Sequence, residues 1–170
     1  MNNIKKALKL VEQAYQAGEI PYGEYKELTE HIKKIAYRCN VTVKIEITSD
    51  IKKVGPPFVR LVTYCPSKKE LIYDPYELPR KNDSRKMTMT LKGTIDVQPG
   101  SIIEQRGIKN IRGQDAGYSG KESMYFVTTA GDMEYLGKSS DYNIIKAVTE
   151  YLSKGVKLEN CDEVPQILKR

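Results

Sequence analysis

The chain has no tryptophan, two phenylalanines, one histidine and three cysteines in 170 residues. Each scarcity removes a class of chemistry. His31 has no Cys or Asp at ligand spacing, and Ser119 and Ser123 have no histidine nearby in sequence, so neither a metal cluster nor a nucleophilic triad is expected. Cys39, Cys65 and Cys161 are far apart, odd in number and in no CxxC arrangement. That speaks against a disulfide framework and a zinc knuckle, and it reads them as small buried side chains. No apolar run approaches the roughly 18 residues of a membrane span, and Met1 to Lys9 is amphipathic without the apolar stretch of a signal peptide. The expected location is therefore the cytoplasm, with no membrane partner. There is no internal repeat and no low-complexity tract.

The charge that is present is concentrated. The whole chain carries a formal +6. Most of it falls between residues 80 and 121, where Arg80, Lys81, Arg85, Lys86, Lys92, Arg106, Lys109, Arg112 and Lys121 face only Asp83, Asp96, Glu104 and Asp115. Four of the seven arginines lie between 80 and 112, and Arg pairs phosphate bidentately where Lys is a point charge.

Hydrophobic spacing divides the chain into three parts. Ile4, Leu8, Val11 and Tyr15, then Tyr25, Leu28, Ile32, Ile35 and Cys39, follow helical steps of three and four on either side of Gly18 and Pro21, which predicts an αα-hairpin over residues 1–40. At Val41 the period changes to two: Val41, Val43, Ile45 and Ile47 alternate with polar residues. From there to residue 138, FVRLVTYC, ELIYD, the Met87–Leu91 run, Thr94 to Val97, SIIEQR, SMYFVTTA and MEYLG read as an antiparallel meander of seven or eight short strands. Gly93 is read as a break between two of them, residues 80–86 as an exposed loop and Pro99-Gly100 as a hairpin turn. Ser139 or Ser140 caps a closing helix with Tyr142, Ile145, Val148, Tyr151 and Leu152 on one face, ended by Gly155. Residues 156–170 are a polar tail, pinned by Val164, Ile167 and Leu168. The expected class is α+β: helical hairpin, central antiparallel β-sheet as barrel or sandwich, and one C-terminal helix in a core domain of residues 41–155.

Three constellations bear on function. The segment RGIKNIRGQDAGYSGKES compares poorly with a phosphate-binding P-loop, because Asp115 stands where the motif needs Gly and Glu122 where Ser or Thr holds magnesium. No cofactor is expected. What remains is a Gly-rich loop with Arg106, Lys109, Arg112 and Lys121 for phosphates and Tyr118 for stacking on a base, flanked by Arg80, Lys81, Arg85 and Lys86. Asp96 and Glu104, with Arg106 two residues on, resemble the D…ExK arrangement of metal-dependent nucleases, except that Arg replaces the Lys. The segment AYQAGEIPYGEYKELTEHI resembles the SHOCT-type helical hairpins, a likeness that implies a terminal appendage and covers only the hairpin.

Two roles follow. The first is a non-catalytic protein that binds DNA or RNA non-specifically through these basic loops. The second is an interaction or assembly protein, of the kind found in viruses and mobile elements, whose hairpin is the contact surface. A homodimer suits either, since it doubles the basic surface.

Overall fold

The structure, a computed structural model, describes residues 2–38, 40–109, 120–154 and 161–169. Two helices open it, α1 (Asn2–Gln16) and α2 (Tyr22–Arg38). The intervening turn carries Gly18 at φ +75°. Tyr15 and Tyr25 stack beside that turn with ring centroids 4.6 Å apart. None of the hairpin's described side chains is fully buried.

Nine strands follow among the described residues: β1 (Val41–Asp50), β2 (Phe58–Cys65), β3 (Glu70–Pro75), β4 (Arg80–Asp83), β5 (Thr88–Val97), β6 (Ile102–Arg106), β7 (Ile108–Lys109), β8 (Ser123–Val127) and β9 (Met133–Lys138). They form two antiparallel sheets of order β4-β5-β1-β7 and β3-β2-β6-β8-β9, and neither closes on itself. Helix α3 (Tyr142–Ser153) and a 3-10 turn (Gln166–Leu168) complete the chain. Among the described residues no helix is long and apolar enough to cross a membrane.

Alternation explains the layering. On β1, Val41, Val43, Ile45 and Ile47 all point inward and meet Leu91, Ile95 and Val97 of β5 with Val59, Ile103 and Val127 of the other sheet. The second sheet is buried on its opposite face too. There Val62, Ile102, Met124, Phe126 and Leu136 pack against Ile144, Val148 and Tyr151 of α3 and against Cys161 and Leu168 of the closing segment. Covered on both sides, β8 reads SMYFV with every residue buried, the continuous pattern of a central strand. Burying each such large side chain contributes about 1.5–3 kcal/mol.

Two glycines let these layers meet. Gly107 sits at φ +133° in the single-residue step from β6 in one sheet to β7 in the other; a Cβ there would lie 3.2 Å from Ile47 Cβ and 3.3 Å from the Thr48 carbonyl. Gly137 of β9, at φ +156°, lies under α3, where a Cβ would come within 2.6 Å of Ile144 Cγ1.

The α+β class holds, with several corrections inside it. The strands do not run as a simple meander: β5 pairs with β1 while β6 pairs with β2 and β8, so Pro99-Gly100 crosses between sheets and is no hairpin turn. Gly93 does not break β5: the strand pairs with β1 along its whole length, Gly93 opposite Ile45, and the Leu78 side chain lies 3.0 Å from where a Cβ would stand. Residues 80–83 form edge strand β4 against β5, so only the end of the expected loop is a turn. Asp141, neither Ser139 nor Ser140, caps α3, its carboxylate accepting the Asn143 N–H at 2.9 Å. Ile144 takes the buried position given to Ile145, and Tyr142 is 73% exposed. Cys65 is only partly buried, and a hydrogen bond with the Ser67 hydroxyl holds its thiol below the ordinary value. Gly155 and Cys39 lie outside the described residues.

Candidate nucleic-acid interface

Strand direction places several connections at one end of the β region. Asp50 at the end of β1 pairs with Thr88 at the start of β5, and Asp83 at the end of β4 pairs with that same Thr88. The turn after β1 and the turn after β4 are therefore neighbours, and the Ile51 N–H donates to the Met87 carbonyl at 3.0 Å. Phe58 opposite Arg106 and Ser123 opposite Lys138 bring β2, β6, β8 and β9 to the same end.

The two neighbouring turns are built alike. In Asp50-Ile51-Lys52-Lys53 the Asp50 carboxylate accepts the backbone N–H groups of Lys52 and Lys53, both at 3.0 Å. In Asp83-Ser84-Arg85-Lys86 the Asp83 carboxylate accepts those of Arg85 and Lys86, at 3.1 and 3.3 Å. Each is an Asx-type turn, in which the side chain replaces the next backbone acceptor and fixes a tight reversal. The first is held further by the Ser49 hydroxyl donating to the Gly55 carbonyl at 2.7 Å. In both turns the acid is tied to the backbone while two cations stand exposed. Among the described residues Lys52, Lys53, Arg85, Lys86 and Lys121 form no ion pair.

Arg106 has a different setting. Its Nε donates to Glu122 Oε1 at 2.9 Å, Nη2 joins the same oxygen, and Nη1 donates to the Pro56 carbonyl at 3.2 Å. Its guanidinium carbon lies 4.7 Å from the centre of the Phe58 ring, and that of Arg60 lies 4.1 Å from the same centre. Arg60 in turn pairs with Glu104. Phe58 thus anchors two arginines, each neutralised by its own glutamate. Burial pushes the Glu122 carboxyl up, but the Arg106 hydrogen bond and charge outweigh it and hold the group below its ordinary value. Arg106 is a structural cation here, not a free one.

The remaining expected site residues divide as follows. Arg80 and Lys81 are exposed on β4, with Arg80 Nη1 3.6 Å from Met89 Sδ. Lys121 is exposed just before β8. The backbone of Lys109 lies in β7 beside Ile47, while its side chain is outside the described residues, as are Arg112 and Tyr118. Asp96 and Glu104 do not share a site: Asp96 stands on the exposed face of β5, where Thr42 Oγ1 donates to it at 2.8 Å, while Glu104 is buried in the other sheet beneath Arg60. No group of three or more metal-ligating side chains occurs among the described residues. At the opposite end of the β region, an open cleft of about 420 Å³ is lined by Leu61, Tyr64, Tyr76, Asp96 and Gln98 among others.

Sequence reasoning passed over Lys52, Lys53, Arg60 and Phe58. A signal existed for the first two: DIKK repeats as DSRK, the same acid-x-basic-Lys pattern after a strand. For Arg60 and Phe58 there was none, since their partners Glu104 and Arg106 are more than 40 residues away. Compared with known proteins, the chain matches no family model, no curated protein and no solved structure.

Proposed function

We propose that this is a non-catalytic nucleic-acid-binding protein that grips the phosphate backbone of DNA or RNA, without regard to sequence, at the end of the β region formed by the twin Asx turns. The observation that carries the reading is the pairing of those turns. Two rigid reversals sit side by side, each presenting two exposed cations with no acidic partner, and Lys121 is exposed on the segment leading into β8 at the same end. Backbone rigidity matters because less conformational entropy is lost when the cations engage phosphate. Arg80 and Lys81 extend the surface along the edge strand. Arg106 supports it from beneath, through Phe58.

About four phosphates neutralised give a log-log salt slope near −3 to −4 on duplex DNA. The test is fluorescence anisotropy with labelled single-stranded DNA, duplex DNA and RNA. Micromolar binding that collapses as salt rises is expected, with the K52E/K53E/R85E/K86E variant losing it while its thermal melt stays that of the parent. Absence of binding at low salt, or full affinity in that variant, overturns the proposal. A second reading, protein assembly through the helical hairpin, draws on Leu10 and Leu28, which are exposed on its two helices.

A further inference from the structure

An exposed apolar side chain stands between the twin turns. Met87 is 52% exposed. It lies at the foot of β5, which runs between β4 and β1 in its sheet, so Lys52 and Lys53 fall on one side of it and Arg85 and Lys86 on the other. Its carbonyl accepts the Ile51 N–H at 3.0 Å, which ties it to both turns at once.

Single exposed hydrophobic residues are ordinary on a protein surface. Two features set this one apart. The backbone is left-handed, at φ +53°, a conformation that Gly or Asn adopts with less strain; such strain collects at functional sites. The four flanking cations are exposed and make no ion pair among the described residues, so the thioether arm stands amid uncompensated charge. A ligand that fits carries anionic groups around an apolar face. Lipid is the poorer match, since one methionine offers far less apolar area than the acyl chain that by itself gives only marginal anchoring. A nucleic acid supplies both, provided that a base face is open.

Magnitudes decide between duplex and single strand. Covering the exposed half of a methionine is worth about five- to tenfold in affinity. In a duplex the base faces are stacked on one another, and opening a step costs at least as much as that contact returns. A single strand presents its bases without that cost. On the footing that the twin turns bind phosphate, as proposed above, we infer that the ligand of this surface is single-stranded nucleic acid and that Met87 is its base contact. The thioether lies on an unpaired base while Lys52, Lys53, Arg85 and Lys86 hold the phosphates on either side.

The chain has no tryptophan, so Met87→Trp places a single indole at this position. Its emission should be quenched as oligo-dT binds, by stacking on a thymine, and should hold steady when a duplex of the same length binds. Phosphate contacts alone favour the duplex, whose charge density is higher, so tighter binding of oligo-dT by the parent at about 0.15 M salt is the signature expected of a base contact. Met87→Ala should weaken oligo-dT binding about five- to tenfold. It should leave duplex affinity within about twofold and the salt slope unchanged, since no phosphate contact is lost, while Met87→Leu keeps the parent affinity. Unquenched emission on bound oligo-dT, equal losses on both nucleic acids, or no loss at all overturns the inference and leaves phosphate binding standing. No binding of either nucleic acid by the parent at low salt overturns both, as does Met87-dependent binding to phosphatidylserine vesicles in its place.

Discussion

The N-terminal hairpin and the β region both carry regularly spaced apolar residues, at helical steps in one and at period two in the other, yet Ile103 of β6 is wholly buried while Leu10 of α1 is mostly exposed. The difference is one of layers. Strands β6 and β8 are covered by a sheet on one face and by α3 on the other, so nearly every apolar side chain in them finds neighbours. Two helices lying side by side can cover only one stripe each. Apolar side chains therefore stabilise a fold in one region and offer a surface in the other. A similar contrast separates the arginines: Arg60 and Arg106, held over Phe58, are compensated by glutamates, whereas Arg85 projects from a turn with no such partner.

The largest expected effect tests whether burial is as unequal as the geometry says. Phe126→Ala, between α3 and the sheet, should cost about 3–5 kcal/mol of unfolding free energy in urea. Leu10→Ala should change the β region's unfolding by less than about 0.5 kcal/mol. Comparable losses from the two would mean that the hairpin belongs to the same cooperative core.

A smaller effect is expected at alkaline pH. Burial pushes the Cys161 thiol up to about 11, with the Asp162 charge adding to it, and pushes the Tyr151 hydroxyl up as well. Both groups are more acidic unfolded than folded, so the stability they contribute is complete below the ordinary thiol value and is lost as pH rises toward 11. The loss from Cys161 alone is roughly 2–3 kcal/mol. Cys161→Ala should flatten the decline in melting temperature between pH 8.5 and 11, and an unchanged slope would show that the thiol is not sequestered.

The smallest effect concerns the turn itself. Met87 closes the Asp83 turn at φ +53°, left-handed backbone that costs a side-chain-bearing residue about 1 kcal/mol. Met87→Gly should raise the melting temperature by a few degrees, the gain reduced by the entropy of the unfolded chain. A lowered melting temperature would mean that the exposed methionine makes contacts that outweigh the strain.

Much of this architecture is legible in local order. Period two from Val41 to Ile47, period 3.6 in Ile4 to Tyr15, and the turn residue Gly18 mark elements because side-chain direction along a helix or strand depends only on neighbours in sequence. The Gly93 reading failed for a non-local reason, namely that pairing with β1 carries β5 straight through that glycine. The hairpin expected at Pro99-Gly100 failed because strand pairing is a choice among partners of similar pattern. For the site, the basic residues at 80–86 were evident from charge alone. Their conjunction with Lys52 and Lys53 was not, since it depends on Asp50 and Asp83 both arriving at Thr88.

Composition and periodicity by themselves determined the α+β class, the order of helices and strands, and where positive charge is richest, because propensity, alternation and charge are properties of contiguous residues. Tertiary structure alone decided which strands share a sheet, which side of each helix stays bare, and which cations are compensated. Those outcomes depend on residues tens of positions apart competing for the same few ångströms, and a linear pattern carries no measure of that distance.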